Sequence, residues 1–371
     1  MPTVLSIFGT RPEAIKMAPV VRELQRQSDS IRSLVCVTGQ HREMLYQVLK
    51  IFAIQPDYDL NLMQPNQTLA ALTAGLFEGL DRVVGETRPD WILAQGDTTT
   101  VMVASLVSHY HRIRFGHVEA GLRTGDKFRP FPEEMNRRIA DLLADAYFAP
   151  TEQSKQALLK EGVDATHIYV TGNTVIDALM DVAARPFDWQ KSQLIGLLQD
   201  KRLVLITAHR RENFGQPFRE LCEAIRELAG HYQEVQFVYP VHLNPNVRQP
   251  VGAILAGLGN VSLIEPVDYF EMVHLMKRSV LILTDSGGVQ EEAPSLGVPV
   301  LVMRDTTERP EGVDAGMVRL VGTKKSRIVE ETARILEHGS FVPLAQRGKS
   351  LYGDGNAAQR IVSALLNGNM C

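Results

Sequence analysis

Short apolar runs alternate with longer amphipathic stretches along the whole chain. The runs at 3–8, 33–38, 91–95, 115–118, 146–149 and 168–171 have the length and composition of buried strands. Between them, stretches such as 13–27 and 68–86 carry apolar residues at three- and four-residue spacing, the period of a helix with one buried face. Strands alternating with helices predict a parallel sheet covered on both faces. The pattern restarts with runs at 203–207, 235–239, 262–264, 280–284, 300–303 and 318–321. The expected fold class is therefore α/β, with two Rossmann-like doubly wound domains around a deep cleft. The boundary is expected near 171–176, giving a first domain over 1–172 and a second over 173–354. Residues 355–371 open with a helical apolar face over 355–366 and are expected to return to the first domain.

Composition narrows this picture only a little. A chain of 371 residues suggests about two domains. Its 44% hydrophobic and 22% charged residues are ordinary for a globular protein that buries sizeable cores. A net charge of −4 leaves no electrostatic footprint for nucleic acid. The three cysteines, Cys36, Cys222 and Cys371, are widely spaced and odd in number, which points to a reducing compartment and away from a disulfide framework. The sequence starts in a strand, without the pattern of a signal peptide, and no apolar run is long enough to span a bilayer. A soluble, cytoplasmic protein is the expectation.

Chemistry-bearing residues fall just after predicted strands, where ligands of doubly wound folds bind. The richest stretch is 282–311. A strand breaks at Asp285-Ser286-Gly287-Gly288, a short helix follows to Leu296, and a second strand leads to Arg309. Two glycines at a strand-to-helix turn let backbone N–H groups approach an anion, and the helix N-terminus adds a favourable dipole. Ser286 suits the cap or a phosphate contact. Glu292, one turn in, suits the hydroxyls of a ribose, and Arg309 suits a phosphate. A capped strand-turn-helix with no ligand is the ordinary alternative. The first strand ends in Gly9-Thr10-Arg11-Pro12-Glu13-Ala14-Ile15-Lys16, where cations at a helix start suggest an anion nearby. Neither GxxxxGK[ST] nor GxGxxG spacing is present, which disfavours P-loop and nicotinamide sites.

Three carboxylates, Asp97, Glu119 and Glu133, lie at strand ends or in the adjoining loop of the first domain. Carboxylates on opposite sides of a sugar carbon are what removal and return of a proton require. Helix caps and ion pairs with Arg123, Arg137 or Arg138 are the plain structural alternative. His209, at the end of the first strand of the second domain, suits phosphate donation or acid catalysis near neutral pH. The ten histidines show no ligand spacing within a helix, and neither a catalytic metal nor any cofactor is expected.

The motifs FGTRPEAIKMAP, TGQHREML, GDTTT, HVEAGLRTG, PEEMNRR, TGNTVIDAL, HRREN, VHLNPNVR, TDSGGVQEEAPSLGVPVLVMRDTTERPE and YGDGNAAQRI together resemble the non-hydrolysing UDP-N-acetylglucosamine 2-epimerases of bacteria, from Val4 to about Ile361. The resemblance implies a glycosyltransferase-B-like homodimer that interconverts UDP-N-acetylglucosamine and UDP-N-acetylmannosamine. It implies anti elimination of UDP to 2-acetamidoglucal and syn re-addition, with UDP-N-acetylglucosamine and UDP as ligands and no nucleic acid or membrane partner. By motif match Asp97, Glu119, Glu133 and His209 are the catalytic set. Arg11, Lys16, His209, Ser286, Gly287, Gly288, Glu292 and Arg309 match UDP-binding positions, with uracil over the turn 266–272 that ends at Met272. A glycosyltransferase of the same fold, a hydrolysing 2-epimerase and a silent sugar-nucleotide sensor are the competing readings. Some relatives carry Gln and Phe where this chain has Val267 and Met272, which would remove a side-chain hydrogen bond near the base. Gln40, Arg210 and His242 match a second, activating substrate site. Glu43 and Asn66 replace the Gln and Arg of activator-dependent members, and losing a cation while gaining a carboxylate weakens the hold on a dianion. Weak or absent activation by substrate is therefore expected, as a hyperbolic curve of rate against substrate concentration; a strongly sigmoidal one would contradict it.

Overall fold

A computed structural model of the chain describes residues 1–39, 42–64, 67–190, 192, 194, 201–307, 309–339 and 352–366. The chain divides into two compact units, Met1–Met180 with Tyr352–Cys371, and Asp181–Leu351.

The first unit holds strands β1 (Thr3–Phe8), β2 (Arg32–Val37), β3 (Tyr58–Asp59), β4 (Trp91–Gln95), β5 (Arg114–Val118), β6 (Ala146–Ala149) and β7 (Ile168–Val170). Its helices are α1 (Arg11–Arg26), α2 (Arg42–Ile51), α3 (Leu69–Thr87), α4 (Thr99–His111), α5 (Glu133–Leu143) and α6 (Glu152–Lys160), and it takes most of α7 (Thr174–Ala184). The sheet runs β3-β2-β1-β4-β5-β6-β7, with its strands paired in parallel. Helix α3 shows why these residues form this layer. Leu72, Leu76, Leu80 and Val83 recur on one face and bury against a core that includes Leu5, Ile7, Ile92 and Phe115. Each such side chain contributes about 1.5–3 kcal/mol when fully buried.

The second unit holds β8 (Arg202–Thr207), α8 (Gln216–His231), β9 (Val235–Pro240), α9 (Pro245–Leu255), β10 (Val261–Ile264), α10 (Tyr269–Arg278), β11 (Leu281–Thr284), α11 (Gly287–Ser295), β12 (Val300–Val302), α12 (Pro310–Asp314), β13 (Val318–Leu320) and α13 (Lys325–His338). Its parallel sheet runs β10-β9-β8-β11-β12-β13. Phe218, Leu221, Ile225 and Leu228 of α8 pack on Val204, Ile206 and Phe237. The last helix, α14 (Ala357–Leu366), groups with the first unit.

In both sheets the strand order reverses once, between β1 and β4 and between β8 and β11. Those reversals are the places where loops diverge and ligands enter a doubly wound sheet. The expected strands and their neighbours agree with these elements within one or two residues. Strand β3 was not anticipated: two residues, paired with Cys36 and Val37, are too few to show a pattern. The domain boundary also moves, from 172 to Met180. The start of α7 stays with the first unit because Asn173 donates to Glu119 and Asp177 accepts the backbone N–H of Ala358. The tail joins that unit from Tyr352, earlier than the expected 355. Cys36 and Cys222 are buried free thiols, and Cys371 lies outside the described residues. No helix among the described residues is long and apolar enough to cross a membrane.

Candidate active site

In the first unit the loops after β1 and β4 are tied together by a carboxylate. Thr10 caps α1 and Glu13 reaches back, a reciprocal capping box. Glu13 Oε2 accepts the N–H groups of Gly9 (3.0 Å) and Thr10 (2.6 Å), while Oε1 accepts the Thr98 hydroxyl from the loop after β4 (2.6 Å). Burial pushes the Glu13 carboxyl above its ordinary range, against the pull of these hydrogen bonds. Gly9 admits no side chain, since a Cβ there would stand 2.0 Å from Thr38 Oγ1. Arg11 and Lys16 follow on α1, half-buried. Lys16 turns to a carboxylate of the protein, its Nζ lying 2.5 Å from Glu119 Oε1.

Glu119 follows β5 directly and has a left-handed backbone, φ 68°, which a residue with a Cβ adopts only when its surroundings enforce it. Its Oε1 also accepts Asn173 Nδ2 (2.8 Å), and Gln95 Nε2 donates to Oε2. Asp97 lies one residue beyond Gly96, and a Cβ built at Gly96 would stand 3.7 Å from Glu119 Oε2. Asp97 itself accepts from Arg137 Nη2, and its carbonyl accepts Asn136 Nδ2 (2.9 Å). Glu133 opens α5, and its Oε2 is buried with no hydrogen-bond partner among the described residues. The neighbouring Glu134 is engaged instead, by the N–H groups of Thr124 (3.1 Å) and Gly125 (3.3 Å) and by Arg137 (3.4 Å). Of the three arginines considered as partners, Arg137 pairs with Asp97, whereas Arg123 and Arg138 both meet Glu161.

Helix α5 also supports the Asp97 turn from beneath. Asp141, two turns after Glu133, accepts His117 Nδ1 (2.6 Å), Arg123 Nη1 (2.8 Å) and the Gly121 N–H (3.2 Å). The opposite nitrogen of His117, Nε2, donates to the Gly96 carbonyl at 2.7 Å. Burial alone would lower the His117 pKa, but Asp141 and the Gly96 carbonyl reverse that and raise it. Burial likewise opposes ionisation of Asp141, yet His117 and Arg123 hold its carboxyl below the usual range.

In the second unit a carboxylate again braces two loops. Asp285, fully buried after β11, accepts the backbone N–H groups of His209 (2.9 Å) and Arg210 (2.8 Å) from the loop after β8, and Asn213 Nδ2 (3.2 Å). The His209 ring stacks on His242, centroids 5.2 Å apart and planes 12° apart. Its pKa is lowered by burial, with His242 and Arg210 adding to the effect and Asp285 opposing it. Ser286 holds the N-cap position of α11, but its hydroxyl makes no capping bond. The helix begins at Gly287 and Gly288, two residues earlier than expected. Glu292 Oε1 accepts the Tyr269 hydroxyl (2.9 Å), and Oε2 lies beside Gly288, where a Cβ would be 3.8 Å away. That bond places the turn before α10, and the half-buried Met272 on α10, next to α11. Arg309, at the N-cap of α12, donates through Nε to Glu291. Gln40 and Asn66 lie outside the described residues, as does the Glu43 side chain, so the expected activator site is represented only by Arg210 and His242.

The first unit thus holds carboxylates oriented by cations and amides, and the second a glycine-opened helix start with a buried glutamate. The model of the UDP-N-acetylglucosamine 2-epimerase family matches residues 22–366. The chain belongs to this family. It is 55% identical to the UDP-N-acetylglucosamine 2-epimerase of Escherichia coli strain K12 over 370 residues, 98% of each chain. Among solved structures it resembles the epimerase of Neisseria meningitidis bound to UDP-GlcNAc, with a TM-score of 0.89 and 50% identity over 98% of this chain and 100% of that one. It also resembles the Methanocaldococcus jannaschii epimerase in complex with UDP-GlcNAc and UDP, with a TM-score of 0.79 and 33% identity over 99% of this chain and 100% of that one. The epimerase family thus shares the α/β fold of two doubly wound units, which is glycosyltransferase-B-like. Glu13, Gln95, His117, Asp141, Asn173, Tyr269 and Asp285 were not anticipated as parts of the site. Only Glu13 carried a local signal, the Thr10-x-x-Glu13 spacing of a capping box.

Proposed function

We propose that the protein interconverts UDP-N-acetylglucosamine and UDP-N-acetylmannosamine by anti elimination of UDP to 2-acetamidoglucal and syn re-addition. The observation that carries this reading is the Glu119–Asp97 pair of loops, in which each carboxylate is held by a cation, Lys16 and Arg137 respectively. Binding a sugar nucleotide needs no such groups near a leaving dianion, whereas proton removal at carbon 2 does. That proton is not acidic, because no carbonyl adjoins carbon 2 within the ring. The carbon 1–oxygen bond must stretch first and build positive charge on the sugar. Carboxylates at Asp97, Glu119 and Glu133 stabilise that charge and take the proton. The electrons of the carbon 2–hydrogen bond form the double bond of the glycal as UDP leaves with those of the carbon 1–oxygen bond. Re-addition reverses these movements with the proton returned to the other face. Glu133 Oε2, which has no hydrogen-bond partner among the described residues, is left to serve the substrate.

The departing diphosphate is assigned to the second unit. The first-turn N–H groups of α11 at Gly287 and Gly288 favour an anion, with the Ser286 hydroxyl beside them. His209 donates to it, Arg309 neutralises it, and Glu292 takes the ribose hydroxyls. Arg11 and Lys16 of α1, matched to UDP binding by the family motif, are the cations of the first unit. The test is a proton spectrum of UDP-N-acetylglucosamine with the protein in heavy water, without acceptor or added metal. UDP-N-acetylmannosamine carrying deuterium at carbon 2 is the expected product. Free N-acetylmannosamine with UDP would replace this reading with hydrolysis, and a bound but unchanged substrate with a transferase or a sensor.

A further inference from the structure

Asn173 belongs to the TGNTVIDAL stretch, which the proposed reaction leaves without a role. We infer that Asn173 is a positioning residue for the Glu119 carboxylate, set in place by the returning C-terminal segment; the inference rests on the epimerase reading above. The orientation of its amide is fixed from both ends. Oδ1 accepts the Val175 N–H at 3.1 Å, at the start of α7, so Nδ2 is the end that faces Glu119 Oε1 at 2.8 Å. Asn173 is buried, and a carboxylate there meets a neutral donor on the same oxygen that takes the Lys16 ammonium. Glu119 carries a left-handed backbone, so its side chain leaves the chain in an unusual direction and depends on such donors for its aim.

The tail holds this donor. The Asn173 N–H donates to the Tyr352 carbonyl. Gly172, at φ +90°, passes so close to Gly353 that a Cβ would stand 3.0 Å from the Gly353 Cα. On either side, Arg360 Nη1 donates to the Thr171 carbonyl (2.9 Å) and Ala358 N–H donates to Asp177 Oδ1 (2.8 Å). Residues 171, 173 and 177 are thus gripped in succession by a segment more than 170 residues away in sequence.

The test compares kcat and KM of Asn173→Asp and Asn173→Ala with the wild type from about pH 5 to about pH 9, with thermal unfolding of each as a check on folding. The charged groups around the position are Lys16 on α1, Glu119 after β5, Asp177 on α7, and Asp354 and Arg360 of the tail. Near pH 8, both variants are expected to lose about a hundredfold in kcat with KM changed by less than about threefold, the loss of aim at the reacting atom rather than of binding. Asn173→Asp is then expected to recover as pH falls. The new carboxyl and Glu119 come to share a proton, and the protonated acid donates as the amide did. Asn173→Ala has no donor to regain and stays flat. Wild-type kcat in both variants, or equal losses at every pH, would overturn the inference. Loss of deuterium exchange in the wild type itself would instead overturn the epimerase reading.

Discussion

Asp97→Asn is expected to reduce turnover by at least about a thousandfold, roughly 4 kcal/mol of transition-state stabilisation, while UDP affinity stays within about threefold. The asymmetry follows from the geometry. Asparagine keeps the size and one acceptor oxygen of the aspartate, so Arg137 retains a partner, and Asn136 still donates to the unchanged main-chain carbonyl of residue 97. What disappears is the negative charge and the capacity to hold a proton. In the proposed reaction those act on the sugar, whereas the groups of the second unit assigned to UDP lie on α11, at the N-cap of α12 and in the loop after β8. Isothermal titration with UDP and a rate assay on UDP-N-acetylglucosamine separate the two effects. A variant that binds UDP and still turns over at a rate near the wild type would remove Asp97 from the acid–base set. Glu119→Gln is the less selective probe, because its new amide N–H groups face Lys16 and Asn173, which already donate to that side chain.

The legibility of this chain depended on whether a feature was local. Parallel strands buried on both faces read as continuous apolar runs, so β1, β4 and β6 could be delimited from residues alone. The turns after strands were legible for the same reason, since Gly9, Gly96 and Gly287 interrupt an apolar run with polar residues. Features built through space were not. The two loop braces illustrate this. Glu13 sits on the helix after the first strand of its sheet, and Asp285 follows the fourth strand of its own in chain order, yet each ties the loops at the point where the strand order reverses. Asp285 looked like the break of a strand because its acceptors are met by residues 75 and 76 positions away. Glu133 and Glu134 are adjacent carboxylates, and their different fates depend on the backbone of Thr124 and Gly125, which no spacing encodes. The boundary at Met180 falls inside a single helix, where an apolar periodicity gives no sign of which unit each turn joins.

Asp141→Asn is expected to destabilise the protein by about 3–5 kcal/mol at pH 6, read as a lower urea midpoint, because it removes the carboxylate that keeps the buried His117 charged and pairs with Arg123. His117 and Asp141 are both buried, 2.6 Å apart. The charges and groups around them are Arg123, which attracts Asp141 and repels His117, the Gly96 carbonyl on His117 Nε2, and the Phe115 ring stacked on the imidazole. The pH dependence follows from the directions of the two shifts. His117 has a folded pKa above the ordinary histidine value of 6.5, so its contribution is complete below about 6.5 and is lost as pH rises through the raised folded value. Asp141 has a folded pKa below 3.8, so its contribution is present above 3.8 and is lost as pH falls through the lowered folded value. The gap in stability between wild type and variant should therefore be widest between these limits and should narrow on the alkaline side, as the wild-type imidazolium gives up its proton. In the variant, the histidine is expected to be neutral, with an asparagine N–H donating to its Nδ1 and the bond to the Gly96 carbonyl retained. Stability curves that ran parallel from pH 5 to about pH 9 would show that the pair is not charged in the folded protein. The same measurement bears on function, because the Gly96 carbonyl that His117 holds precedes Asp97 by one peptide unit. A charge buried beneath the carboxyl end of β5 thereby becomes part of how the Asp97 turn is kept in place.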